Sequence, residues 1–135
     1  MVKMAEWPGD TGSLGEWAQE QLDLLGASEA AMYGADLEDG QHLWVAADVG
    51  LLHIEQVHDE GSPEWRTGSV LHPWSEVRGA GIAFTKVVAA QGGWQATVHI
   101  AEPAFSESRW GGPFYRPLID FGMNCIRRSE AFRRA

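Results

Sequence analysis

The apolar residues of this chain change their spacing twice, and because a helix repeats about every 3.6 residues and a strand every two, each change marks a change of element. Over residues 13–25 the spacing is helical. At about 100° per residue, Leu14, Trp17, Ala18, Leu22, Leu24 and Leu25 share one arc, with Glu16, Gln19, Glu20 and Asp23 opposite. Ser13, with Glu16 three residues later, forms a capping box in which each side chain satisfies an orphan N–H of the first turn. Gly26 is suited to close the helix in the left-handed conformation. Such a stripe predicts a surface helix on its own core; a partner-binding helix displaying Trp17 is the functional alternative.

After Gly26 the spacing falls to two. Leu43, Val45 and Ala47 alternate with His42, Trp44 and Ala46, and Asp48-Val49-Gly50 can turn the chain into a partner strand over 51–57. A strand over 31–37 joins them through Glu38-Asp39-Gly40-Gln41, since Asp-Gly readily adopts the positive φ angles of a tight hairpin. Residues 58–66, with Gly61, Ser62 and Pro63, read as a loop, followed by strands over 67–74, 80–89 and 94–101. Ile82, Phe84 and Val88 share a face of one, and Trp94, Ala96, Val98 and Ile100 a face of the next. Six antiparallel strands result, with a short seventh expected near 104–110. Arg78-Gly79-Ala80-Gly81 reads as a bulge or bend that passes a strand between sheets.

The helical period returns over 117–133. Leu118, Ile119, Phe121, Gly122, Met123, Cys125, Ile126 and Phe132 spread over an apolar arc of roughly 200°, wider than the stripe of about 100° that one contact needs. Arg116, Asp120, Asn124, Arg127 and Arg134 lie opposite, and the terminal arginines complement the helix dipole. The expected fold is α+β: an antiparallel meander of six or seven strands with an N-terminal helix and a closing C-terminal helix. Residues 1–12, with Pro8, Gly9 and Gly12, read as a flexible lead-in, and 13–135 as one domain. Surplus apolar width at Ile119, Met123 and Ile126, or at Phe121 and Phe132, predicts a homodimer, unless the helix inserts deeply between two sheets.

Charge narrows the partners. The net charge is −9, and residues 1–66 carry 14 Asp and Glu against Lys3 and Arg66, while 67–135 carry 5 against 8 bases. Such an acidic field repels phosphate backbones and anionic headgroups, so neither nucleic acid nor a membrane is expected as partner. The single Cys125 cannot form an internal disulfide, and no stretch has signal-peptide or membrane-span character, which suits a cytoplasmic chain.

No residue pattern calls for catalysis, metal or cofactor. His42, His53, His58, His72 and His99 lack ligand spacing; His53 and His58 fall on opposite faces of a strand, and scattered surface or half-buried histidines are the plainer reading. Cys125 sits on the apolar arc of a helix, where a thiol is packing. Gly79 and Gly81 precede a strand and lack the Gly-Lys-Ser/Thr ending of a phosphate loop. Of seven tryptophans, Trp17, Trp44, Trp74 and Trp94 fall in patterned elements and are expected in or beside the core. Trp7, Trp65 and Trp110 fall in loops. Loop Trp and Arg are enriched in binding hot spots, so Arg109, Trp110, Phe114, Tyr115, Arg116 and Trp65 are the candidate protein-binding residues. The plainer alternative is that Trp110 and Phe114 pack the closing helix on the sheet.

The order of helix, meander strands and closing helix resembles the bacterial branch of pleckstrin-homology-like (PH-like) folds, of small actinobacterial type. Residues 43–54, read Leu-Trp-Val-Ala-Ala-Asp-Val-Gly-Leu-Leu-His-Ile, resemble their second and third strands. Residues 70–77, Val-Leu-His-Pro-Trp-Ser-Glu-Val, resemble a segment these domains often carry. The resemblance implies a split barrel of seven strands in two orthogonal sheets, serving lipid binding, peptide binding or assembly. Lipid-binding members place basic residues at the first hairpin; here Glu38-Asp39-Gly40 opposes a phosphoinositide. The expectation is a non-enzymatic module that binds a protein, another copy of itself or an unidentified partner. The alternative is an acidic inhibitor or immunity-type protein blocking a basic enzyme or toxin, marked by one contiguous face of Asp36, Glu38, Asp39, Asp59, Glu60 and Glu64.

Overall fold

A computed structural model describes residues 3–4, 13–37, 40–58, 65–86 and 93–134. The elements are β1 (Lys3–Met4), α1 (Ser13–Leu24), β2 (Glu29–Leu37), β3 (Gly40–Ala47), β4 (Gly50–His58), β5 (Trp65–His72), a 3-10 turn (Trp74–Glu76), β6 (Gly81–Lys86), β7 (Trp94–Ile100), β8 (Phe105–Arg109) and α2 (Tyr115–Arg134). Seven strands are antiparallel: β2 to β5 form one sheet, and β6 to β8 a second. The short strand expected near 104–110 is β8. Within the stretch read as lead-in, β1 pairs parallel with Glu29 and Ala30 of β2.

The first sheet is buried on both faces because both parities of β3 are apolar. Leu43, Val45 and Ala47 point toward α1 and, with Met32, Leu52, Ile54, Ala18 and Leu22, build a cluster without buried aromatic rings, against which half-buried Trp17 packs. Trp44 and Ala46 point the other way, where Tyr33 and Leu51 join Val98, Ile100 and Phe105 of the second sheet and Leu118 and Phe121 of α2. The two-residue turn Asp48-Val49 sets the β3–β4 register, with Ala47 opposite Gly50. Ser28 holds that turn through its amide and hydroxyl, at 3.1 and 2.8 Å from the Asp48 carboxylate. Desolvation raises the Asp48 pKa, but these hydrogen bonds outweigh it and leave the carboxyl below its usual value.

Helix α1 stops where expected. Gly26 adopts φ 73°, and the amides of Gly26 and Ala27 donate back to Asp23 and Leu22, satisfying carbonyls the helix leaves open. The expected strand over 67–74 ends instead at His72. Pro73 cannot donate to a ladder, and the next residue, Trp74, turns inward and donates its Nε1 to the Ala47 carbonyl at 2.8 Å. The chain then changes sheets through this turn and an Arg78–Glu102 bridge rather than through a bulge in one strand.

Helix α2 begins at Tyr115, two residues before the expected start, since Pro117 is tolerated in a first turn whose N–H groups lack helical partners anyway. Its wide arc is used by contact with both sheets: β2 on one side, β6 and β7 on the other. Leu118, Phe121, Gly122, Cys125 and Ser129 are buried, so Phe121 is not the uncovered margin the sequence suggested. Ile119, Met123 and Ile126 are half-buried and Phe132 is exposed. Gly122 permits the approach: a Cβ there would lie 2.7 Å from Val98 Cγ2. Trp94 shares the inner-facing side of β7 with buried Ala96 and Val98, but at the outer end of the strand it is 51% exposed, with Lys86 Nζ 5.8 Å from its ring, more open than the place in or beside the core expected of it. Among the described residues no helix is long and apolar enough to cross a membrane.

Candidate functional site

Strand β8 ends at Arg109, whose Nε donates to the Tyr33 hydroxyl at 2.9 Å. The guanidinium lies 5.5 Å from the Phe114 ring centroid and 6.0 Å from that of Tyr33, with the Glu107 carboxylate at 3.9 Å. Arg109 therefore ties β8 to β2 and to the entry of α2. Burial raises the Tyr33 pKa, and the Arg109 hydrogen bond only partly counters it. Phe114 is half-buried against the inner core, Tyr115 is half-buried, and Arg116 is exposed, 3.7 Å from Asp120. Trp110 is 51% exposed and is followed by Gly111 and Gly112. The structure thus joins Arg109 and Phe114 in one stack and leaves Trp110 facing solvent. The side chain of Trp65 lies outside the described residues, as do Trp7 and the side chains of Asp36, Glu38, Asp39, Asp59, Glu60 and Glu64.

A second cluster was not visible in the pattern. Tyr33, Trp44, His53 and Val70 form a row across the inner face of the first sheet, one residue from each of β2 to β5. Trp44 and His53 stack with centroids 3.9 Å apart and planes at 14°. His42 lies edge-on to both, at 6.3 and 5.5 Å, and Phe105 of β8 stands 5.3 Å from Trp44. Burial lowers the His53 pKa to about 4, assisted by His42 and His72. Burial also lowers that of His42, against the opposing pull of Glu107 and Glu55. At neutral pH both rings are uncharged. Trp44 is 4% exposed, and its Nε1, with Nε2 of His42 and of His53, has no hydrogen-bond partner among the described residues. An unpaired buried polar atom of this kind costs about 1–3 kcal/mol.

Beside His53 the inner face opens into a groove of about 410 Å³ lined by Glu55, Arg66, Gly68 and Val70, with Val70 56% exposed. The histidines are scattered along the sequence, and their grouping with Trp44 is absent from its spacing. The signal that finds it is register: a two-residue turn at 48–49 places His53 opposite Trp44 and one step diagonally from His42. Among the described residues no three His, Cys, Asp or Glu side chains converge as a metal site. The Cys125 thiol, pushed up to about 12 by burial, has almost no thiolate at neutral pH.

The chain was compared with protein-family models, curated proteins and solved structures. None matches. The functional reading rests on the geometry just described.

Proposed function

We propose that this chain is a non-enzymatic protein-binding or assembly module built on a PH-like split barrel and working in the cytoplasm. Four strands packed on three, with a helix inserted between the sheets, is the arrangement that supports the PH-like reading. The single Cys125 suits a reducing compartment. The observation that carries the binding role is the exposure of large apolar side chains on inner-facing positions where the sheets part. Val70 of β5, Phe84 of β6 and Trp94 of β7 are each more than half exposed, although Val70 continues the row of Tyr33, Trp44 and His53, Phe84 pairs with buried Ala96, and Trp94 shares its strand face with Ala96 and Val98. A second copy of the chain is one candidate partner. Affinity purification from the native host, with chemical cross-linking and identification of what is joined, tests the reading. Stoichiometric recovery of one protein, or of a cross-linked dimer, is the expected result. A chain recovered alone and monomeric at high concentration overturns it.

A further inference from the structure

The binding reading becomes more specific at the free edge of β5. Ala47 and Gly50 flank a two-residue turn, so their N–H and C=O groups face each other, and the antiparallel ladder alternates from there. The Asp48 amide obeys the same alternation by donating toward β2, to the Glu29 carbonyl at 3.1 Å. Along β4, residues 51, 53, 55 and 57 therefore turn their backbone groups toward β5, and their partners 72, 70, 68 and 66 turn theirs back. The amides and carbonyls of Thr67, Ser69 and Leu71 point to the other side. Among the described residues no strand lies there, and residues 66–70 are all exposed. An edge with outward donors and acceptors is a template for one more strand.

We infer that β5 accepts an extended peptide segment of a partner protein as an added strand, with an apolar side chain over Val70 and a basic side chain toward Glu55. The inference rests on the binding role proposed above and names its partner. Three observations support it. The outward backbone groups of Thr67, Ser69 and Leu71 match the period of an extended chain. The groove beside His53 and Val70 lies on the face that alternate side chains of such a strand would enter. The whole chain carries −9, so a basic segment is attracted and a second copy of this equally acidic chain is not.

Selection of a random library of peptides about seven residues long on the intact protein tests this, because an added strand spans about that length. Selected sequences should alternate, carry net positive charge, and slow amide hydrogen exchange at Thr67, Ser69 and Leu71. Ser69→Pro removes an outward amide without touching the β4 ladder, so it should keep the thermal transition and weaken the peptides by about tenfold or more. Glu55→Lys should weaken them too. Should Ser69→Pro unfold the protein, the exchange pattern and Glu55→Lys still decide. Failure to select any peptide, selection of acidic sequences, protection elsewhere, or exchange that slows with protein concentration alone each overturns the inference. A host partner that binds the wild type and Ser69→Pro equally would leave the binding role standing and remove the edge from it.

Discussion

The two faces of the first sheet are made by the same strands and differ in what holds them. Under α1 the buried contacts are between Ala, Leu, Val, Met and Ile, with half-buried Trp17 packed at their margin. On the inner face Tyr33, Trp44, Phe105 and Phe121 meet at ring distances of 5.3–6.4 Å, and two histidines and an indole bring nitrogens that lack partners among the described residues. The aliphatic face depends on volume and buried area alone. The inner face depends also on orientation and protonation, so the two should respond differently to truncation, substitution and pH.

The largest difference is expected from removing each helix. A chain ending at Gly112 loses α2 and uncovers Val98, Phe105 and Tyr33 together, so it should show no cooperative thermal transition and should aggregate in light scattering. A chain starting at Ala27 loses the Ala18, Leu22 and Trp17 contacts and the short β1 pairing but keeps the inner cluster, and it should retain a cooperative transition at lower temperature. A soluble, cooperatively folded chain without α2 would show that the inner face is not the main core. At single residues, Phe121→Ala should cost about 3–5 kcal/mol and Leu22→Ala about 2–4 kcal/mol in denaturant unfolding, since both are fully buried but the ring leaves the larger cavity.

Acid acts on the inner face through its histidines. The His53 pKa is lowered to about 4 and that of His42 is lowered as well, so below about pH 6.5 the unfolded chain binds protons that the folded chain refuses. Stability is therefore full above about 6.5 and falls as pH drops toward 4. Allowing for solvent screening of half-buried rings, the loss is about 1–2 kcal/mol. His53→Phe, which keeps the stack on Trp44, should flatten that window, whereas Leu22→Ala should shift the stability curve without changing its shape. A wild-type curve already flat between pH 4 and 6.5 would place both rings in water.

Much of this contrast was legible in the residues. The change of period at Gly26 located β2 to β4, and the turn at Asp48 located the register, because side-chain alternation and turn length are local properties. The burial of both faces of β3 was visible in its two apolar parities. What could not be read was which helix covers which face, how far α2 sinks, and where a strand's apolar face runs out into solvent. Those depend on contacts between residues far apart in sequence. Trp94 shows the last point: its parity matches buried Ala96 and Val98, yet at the end of the strand it is half exposed. The His42–Trp44–His53 group was missed because spacing along one strand says nothing about neighbours across two.

The smallest effect on stability is expected at Trp110, in contrast to Trp44. Trp44 is enclosed by His53, His42 and Phe105, while Trp110 stands half exposed just past β8, beside two glycines and next to the Arg109–Phe114 stack that already fixes the entry of α2. If that stack positions the helix, Trp110 is spare for stability, and Trp110→Ala should change the unfolding free energy by no more than about 0.5 kcal/mol. Arg109→Ala, which removes the donor to the Tyr33 hydroxyl and the contact with Phe114, should cost more, about 1–2 kcal/mol. A loss above about 1 kcal/mol for Trp110→Ala would mean that the indole packs α2 onto the sheet, and Trp110 would then leave the list of binding residues. A silent Trp110→Ala that also weakens capture of the host partner would keep it there, as a large apolar side chain held in solvent by a scaffold that does not need it.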